Sequence, residues 1–176
     1  MNYKNLHTCK LENLFGDISL HIIKQDEIIR IIKLNDSQGV SRTLGAVRFF
    51  NVNEDAIKDA HDKIINGGLL GKTLFDFNID FNKELIGSVS VKLPKWIKND
   101  FKSNEDDGLA FYSRISIKHD QALNEKFLYS ELIEVIPLEL VHQFTSKAKP
   151  LSVIDDNLHF LLKSSNLEPI KSKHKL

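Results

Sequence analysis

The stretch EKFLYSELIEVIP, residues 125–137, anchors the fold prediction because its pattern is that of a β-strand with one buried face. Side chains alternate between the two faces of a strand. The residues that would share the apolar face are Phe127, Tyr129, Glu131, Ile133 and Val135. A buried carboxylate costs several kcal/mol unless it is paired or protonated. Glu131 is therefore expected either to line a ligand pocket or to pair with an arginine in the core.

Composition narrows the class of protein before any motif is considered. The 176 residues carry 24 basic and 24 acidic side chains, with 41% hydrophobic residues, which is typical of one globular domain. A net charge of zero argues against a nucleic-acid partner. The single cysteine, Cys9, allows no intrachain disulfide and fits the cytoplasm. No apolar run approaches the roughly 18 residues of a membrane span, and the basic stretch 171–176 is expected to be a solvated end.

Hydrophobic periodicity predicts an α+β domain with a mostly antiparallel sheet of about six strands and helices packed on one side. Strands are predicted at residues 27–34, 41–50, 84–93, 109–117 and 126–137. Helices are predicted at residues 9–23 (broken near Gly16), 53–65, 69–75, 138–144 and 151–165, and an exposed loop at 94–107. We expect one domain over residues 1–176, with 138–176 as a C-terminal helical extension.

Motifs for common catalytic and metal sites do not match this sequence. NGGLLGKT, residues 66–73, has Asn66 where a phosphate-binding loop requires glycine, and it follows a predicted helix rather than a strand. The seven histidines lack the spacing of a zinc site, so no metal site is predicted.

A second charge lies on an apolar strand face. Arg48 shares its predicted face with Leu44, Ala46 and Phe50, and Arg42 lies at the start of the strand. A guanidinium in such surroundings needs an anionic partner, and a ligand carboxylate matches its forked geometry. Three alternatives remain: a ligand, an ordinary core ion pair of Glu131 with Arg48 or Arg114, or burial of the other strand face.

Three blocks in this order resemble the second half of the chorismate pyruvate-lyases, whose fold is related to the ligand-binding UTRA domains of GntR-type regulators. The blocks are LLGKTLF (69–75), GLAFYSRISI (108–117) and LYSELIEVIP (128–137). In that family a Leu-Gly pair opens a short helix, and a Ser-Arg strand pairs with a strand that carries a glutamate. The resemblance covers residues 67–137 well and 11–66 loosely. It implies an antiparallel sheet around a closed pocket and a cofactor-independent enzyme that splits chorismate into pyruvate and 4-hydroxybenzoate.

Carried over by position, the resemblance implies roles for individual residues. Glu131 matches the catalytic glutamate, and its apolar neighbours would raise its pKa toward that of a general acid. The clamp for the substrate carboxylate should lie in the 27–50 hairpin, with Arg48 as first choice. The expected substrate-binding residues are Arg30 and Arg42 as alternative clamps, Leu70, Gly71, Arg114 and Lys83.

One departure from the family bears on catalysis. The chain has Asn82 and then Lys83 where the family enzymes have an arginine.

Two functions follow as hypotheses, and both have a small anionic ligand such as chorismate or a hydroxybenzoate as the partner. The first is a lyase that uses Glu131 and Arg48. The second is a non-catalytic domain that binds a small aromatic or sugar-like acid. An interaction protein that uses the 94–107 loop and the C-terminal helices is a third alternative, and the sequence leaves the oligomeric state open.

Overall fold

The computed structural model describes residues 6–120, 125–144 and 148–170. The strands are β1 Ser19–Gln25, β2 Ile29–Asn35, β3 Ser41–Phe49, β4 Phe81–Lys92, β5 Asp107–Asp120, β6 Glu125–Pro137 and β7 Glu168–Pro169. The helices are α1 His7–Phe15, α2 Lys58–Ile65, α3 Leu70–Asp76, α4 Lys95–Phe101 and α5 Asp156–Ser164, with a 3₁₀ helix at Leu138–Gln143. The predicted basic end at 171–176 lies outside the described residues.

The strands form one seven-stranded sheet in the order β1-β2-β3-β6-β5-β4-β7. Each pair of neighbouring strands is antiparallel. The predicted α+β class with an antiparallel sheet is therefore confirmed. β6, the strand on which the prediction rests, lies between β3 and β5 at the centre of the sheet. No helix in the described ranges is both long and apolar enough to cross a membrane.

Adjacent residues on the central strands point to opposite faces of the sheet, and each face has its own core cluster. Val47 and Leu132 point to one face, where they belong to a core cluster with residues of α2 and α3. Helix α1 also covers this face, which is called the α1–α3 face. Ala46 and Ile133 belong to a cluster with residues of α4 and α5, and this face is called the α4–α5 face. The first three helices thus pack together on one side, and the 94–107 segment and C-terminal extension supply helices to the other.

A bulge in β6 breaks the alternation that the sequence suggests. The β5–β6 register pairs Ile115 with Ser130 and Ser116 with Leu128, so that Tyr129 is the extra residue. Tyr129 packs in the cluster of the α1–α3 face, whereas Ile133 packs in the cluster of the α4–α5 face. The expectation of one shared face from Phe127 to Val135 is therefore wrong, because one unpaired residue reverses the sides.

The first predicted helix ends earlier than its periodicity suggests. α1 ends at Phe15, Gly16 has φ 78°, and β1 begins at Ser19. β1 is an edge strand with five exposed and two half-buried residues, so no alternation of apolar and polar residues marks it.

Two other segments differ from their predicted form. The predicted exposed loop at 94–107 contains α4, because Ile97 and Phe101 are buried in the core. α2 begins at Lys58 rather than near Asn53, since the Ile57 amide donates to the Glu54 carbonyl and closes a turn first.

Candidate functional site

A cavity of about 70 Å³ lies between the α1–α3 face of the sheet and helices α1 and α3. Its apolar wall includes Ile32, Val47, Leu69, Ile115 and Leu132. The volume is several times the roughly 10–15 Å³ that a single water requires. The cavity thus has room for a few atoms beyond a single water, and it combines apolar walls with a few polar groups.

Two polar pairs face this cavity. Lys83 Nζ lies 2.8 Å from both carboxylate oxygens of Glu134, and both side chains are 17% exposed. His7 Nε2 lies 2.7 Å from Thr43 Oγ1. Burial lowers the pKa of His7, which favours the neutral ring. Burial acts to raise the pKa of Glu134, but His7 in its protonated form and the ammonium of Lys83 outweigh it and hold that pKa below its ordinary value. Glu134 is therefore a carboxylate at neutral pH.

Three of the residues predicted to bind substrate line the cavity. Leu70 and Gly71 come from the first turn of α3, and Lys83 comes from β4. A side chain at position 71 would meet Leu6 Cδ2 at 2.9 Å, so glycine permits the close approach of α3 to the N-terminal segment.

Glu134 was not predicted as a site residue. It alternates with Leu132 and Ile136, and that alternation, together with a lysine on a neighbouring strand, is the sequence signal that could have found it.

Arg30 on β2 neighbours residues of the cavity wall and does not itself line the cavity. Arg30 is opposite Val47 in the β2–β3 ladder, and Ile32 follows it on the same face of β2. Val47 and Ile32 both line the cavity. The Arg30 side chain is almost completely buried, at 2% exposure. Nη1 donates to the Gly68 carbonyl at 2.8 Å, whereas Nε and Nη2 are buried and have no hydrogen-bond partner. The side chain thus presents one whole edge of its guanidinium without an acceptor.

Arg42 shows how such an edge is normally used. Its Nε and Nη2 both donate to Asp36 Oδ2, at 2.9 and 2.6 Å. Burial lowers the pKa of Arg30 to about 10, which still leaves the guanidinium charged at neutral pH. Arg30 therefore carries a buried positive charge that lacks an anion of the kind that Arg42 has.

Tyr129 interacts with the charge of Arg30 and contacts His61. The Tyr129 hydroxyl is 2.9 Å from His61 Nδ1, and Tyr129 is fully buried. Burial raises the pKa of Tyr129 while the charge of Arg30 acts to lower it, and the net shift is upward. The phenol is therefore neutral and cannot supply the missing negative charge.

Glu131 lies on the other side of the sheet from the cavity. Arg114 Nε is 2.7 Å from Glu131 Oε1, and Arg114 Nη2 is 3.4 Å from Asp155 Oδ2. Of the alternatives that the sequence leaves open for Glu131, the structure has the ion pair with Arg114.

Arg48 is the direct ladder partner of Glu131, and its Nη1 donates to Asn157 Oδ1 at 2.7 Å. Arg48, Glu131 and Arg114 thus form one cluster beneath α5. Among the predicted arginines of the hairpin, Arg30 is opposite a residue of the cavity wall, Val47, whereas Arg42 is bound to Asp36 and lies over the Phe15 ring at 4.2 Å.

Comparisons with known proteins do not establish a function for this chain. No protein-family model matches the chain, and no curated protein matches it. Among solved structures, the crystal structure of the PhnF C-terminal domain is similar, with 8% sequence identity, 73% of each chain covered and a TM-score of 0.45. In the part of the chain that the structure describes, no group of three or more His, Cys, Asp or Glu side chains could hold a metal ion.

Proposed function

We propose that this domain binds a small carboxylic acid, with the carboxylate on Arg30 and an apolar body in the adjoining cavity. The observation that carries the proposal is the free Nε–Nη2 edge of a side chain that is 2% exposed. A buried charge without a partner costs several kcal/mol. A carboxylate offers two oxygens at the spacing of the two N–H groups, which makes it a good partner for that edge.

The position of Arg30 links its charge to the cavity. Gly68, whose carbonyl receives Nη1, directly precedes Leu69 in the cavity wall. Val47, opposite Arg30 in the β2–β3 ladder, is part of the same wall. An acid held by Arg30 would therefore place its body against apolar side chains, where burial adds about 25 cal/mol per Å² of apolar surface.

The states of Glu131 and Glu134 favour binding without turnover over lyase catalysis. A general acid that works near neutral pH needs a raised pKa. The pKa of Glu134 is lowered, and Glu131 is paired with Arg114 on the other face. We therefore propose that the domain binds its acid without converting it. Chorismate and 4-hydroxybenzoate are among the ligands to test, because the sequence resembles the chorismate lyases.

Isothermal titration calorimetry with 3-phenylpropanoate, benzoate, 4-hydroxybenzoate and chorismate tests the proposal. We expect saturable binding of at least one acid and a loss of affinity of tenfold or more in Arg30→Met. Without ligand, Arg30→Met should be as stable as the parent protein or more stable, because a buried unpaired charge is removed. Arg42→Met is the matched control; it removes an arginine that already has its carboxylate and should retain binding.

Two results would count against this function. The first is the absence of binding by every acid, and the second is unchanged affinity in Arg30→Met. Release of pyruvate from chorismate above background, measured with lactate dehydrogenase, would favour the lyase instead.

A further inference from the structure

Gln25 supplies a second unsatisfied group beside Arg30. The two residues are direct partners in the β1–β2 ladder, so their side chains lie on the same face of the sheet. Gln25 Nε2 donates to the Ile65 carbonyl at 2.9 Å. A carbonyl only accepts hydrogen bonds, so this contact fixes the orientation of the amide. The free end is therefore Oε1, which is buried and has no partner.

Gln25 and Arg30 are not hydrogen-bonded to each other, and each donates instead to a backbone carbonyl at the end of α2 or just after it. The Gln25 amide is tied to the Ile65 carbonyl, and the Arg30 guanidinium is tied to the Gly68 carbonyl. Each side chain is thus anchored by its own backbone acceptor. What remains is an acceptor without a donor on Gln25 and a donor edge without an acceptor on its ladder partner, Arg30.

We infer that the acid bound at Arg30 carries a hydroxyl group close to its carboxylate, so that the site takes 2-hydroxy acids. This inference rests on the proposed function. The carboxylate accepts from Arg30 Nε and Nη2, and the hydroxyl donates to Gln25 Oε1. An unsubstituted acid leaves Oε1 without a donor, and a buried polar atom without a partner is unfavourable.

The same geometry disfavours a related class of acid. A 2-oxo acid would place a second acceptor against Gln25 Oε1, which then still lacks a donor. The pair therefore distinguishes ligands by the substituent beside the carboxylate.

A surface groove lies beside Gln25. Gln25, His61 and Ile65 line this groove, whose volume is about 680 Å³. Because Gln25 is the ladder partner of Arg30, an acid that enters the groove would approach Arg30 past Gln25.

Calorimetry with three acids on one carbon skeleton tests the inference. The acids are 3-phenyllactate, 3-phenylpropanoate and phenylpyruvate, which differ only at the carbon next to the carboxylate. We expect the 2-hydroxy acid to bind about tenfold more tightly than the unsubstituted acid, in line with one added hydrogen bond, and the 2-oxo acid to bind most weakly. Gln25→Met should remove the preference for the hydroxyl while still binding 3-phenylpropanoate.

Each outcome separates this inference from the function on which it rests. Equal binding of the three acids by the parent protein would overturn the inference and leave acid binding intact. A preference that survives in Gln25→Met, with the variant shown to be folded by thermal unfolding, would also overturn it. No binding of any of the three would overturn the inference, and the proposed function would fall with it only if benzoate, 4-hydroxybenzoate and chorismate also fail to bind. If Gln25→Met does not fold, Gln25→Leu and the ranking of the acids by the parent protein provide the test.

Discussion

Arg114 Nε lies 2.7 Å from Glu131 Oε1, and the two residues are direct partners across the β5–β6 ladder. Glu131 is 1% exposed, so the carboxylate at the centre of the sheet is neutralised by its neighbouring strand. This contact pairs the glutamate on the α4–α5 face, which is opposite the face that carries the cavity.

Removing Arg114 should destabilise the protein more than removing both members of the pair. We expect Arg114→Met to lower the free energy of unfolding by about 2–3 kcal/mol, because it leaves a buried carboxylate without a cation. The value is at the lower end for a buried pair because the Arg114 side chain is 39% exposed and water partly solvates it. Adding Glu131→Leu should recover part of that loss. Urea unfolding of Arg114→Met, Glu131→Leu and the double variant measures these effects, and simple additivity of the two single effects would contradict the pairing.

Acid binding should not depend on this pair, because Glu131 and the cavity lie on opposite faces of the sheet. Glu131→Gln should bind the test acids with affinity within about twofold of the parent protein, since no ligand contact is removed. Titration calorimetry on the folded variant measures this. A large loss of affinity would instead place Glu131 in the ligand site, as the lyase hypothesis requires.

The Lys83–Glu134 pair should contribute a stability that depends on pH. The pKa of Glu134 is lower in the folded protein than its ordinary 4.5, so its contribution is present above that pH and is lost as the pH falls through the folded pKa. Lys83→Met should therefore lower the free energy of unfolding by about 2–3 kcal/mol at pH 7 and by clearly less at pH 4. Urea unfolding at the two pH values measures the change.

The control for Lys83 is Lys118→Met. It removes an exposed pair with Asp80, in which the side chains are 44% and 38% exposed, and it should cost less than about 1 kcal/mol. If the two lysine variants lose the same stability at pH 7, the buried position of Lys83 has no special effect.

Thermal stability should fall as the pH drops from 7.5 to 5.5. Burial lowers the pKa values of His7 and His61 below 6.5, so between the lowered values and 6.5 the unfolded chain binds more protons than the folded one. Folding then becomes less favourable as the pH falls, by a few degrees in Tm, on the order of 1 kcal/mol. The double variant His7→Gln/His61→Asn should flatten this slope, measured by differential scanning fluorimetry. A slope that the double variant leaves unchanged would assign the effect to other groups.

Two glycines near the cavity should differ in their tolerance of a methyl group. A Cβ at position 68 would lie 2.6 Å from Thr73 Oγ1 and 2.8 Å from the Lys63 carbonyl, so backbone must move. At position 71 the close atom is the end of the Leu6 side chain, at 2.9 Å, which can turn away. We expect Gly68→Ala to lose about 2 kcal/mol or more and Gly71→Ala less than about 1 kcal/mol.

Gly68→Ala should also weaken acid binding, because the shifted segment carries the carbonyl that anchors Arg30. Urea unfolding and titration calorimetry on the same two glycine variants measure both effects. Equal stability losses would show that the backbone at position 68 adjusts without strain.

Strand and helix positions followed from local patterns in the sequence. β2, β3, β5 and β6 were predicted close to their observed bounds, since each combines β-branched or aromatic residues with nearby turn residues. The short helix after Gly67–Gly68 was also predicted, because paired glycines end one helix and allow the next to begin. Those predictions depend on neighbours along the chain, which the sequence displays directly.

The positions of the charged residues relative to the cavity depended on contacts between distant segments. Strand alternation placed Glu131 among apolar residues, but the ladder register chose Arg114 as its partner, and the unpaired Tyr129 reversed the sides of β6. In the segment EIIRIIKL, nothing in the sequence distinguishes Arg30 from an exposed strand arginine. Its burial and its unpaired edge depend on tertiary contacts, among them the hydrogen bond to the Gly68 carbonyl after α2.

The sequence by itself thus determined the class of fold and the presence of costly charges in its sheet. Only the tertiary structure decided which charge is paired and which is buried without an anion, because pairing and burial are set by residues far apart in the chain.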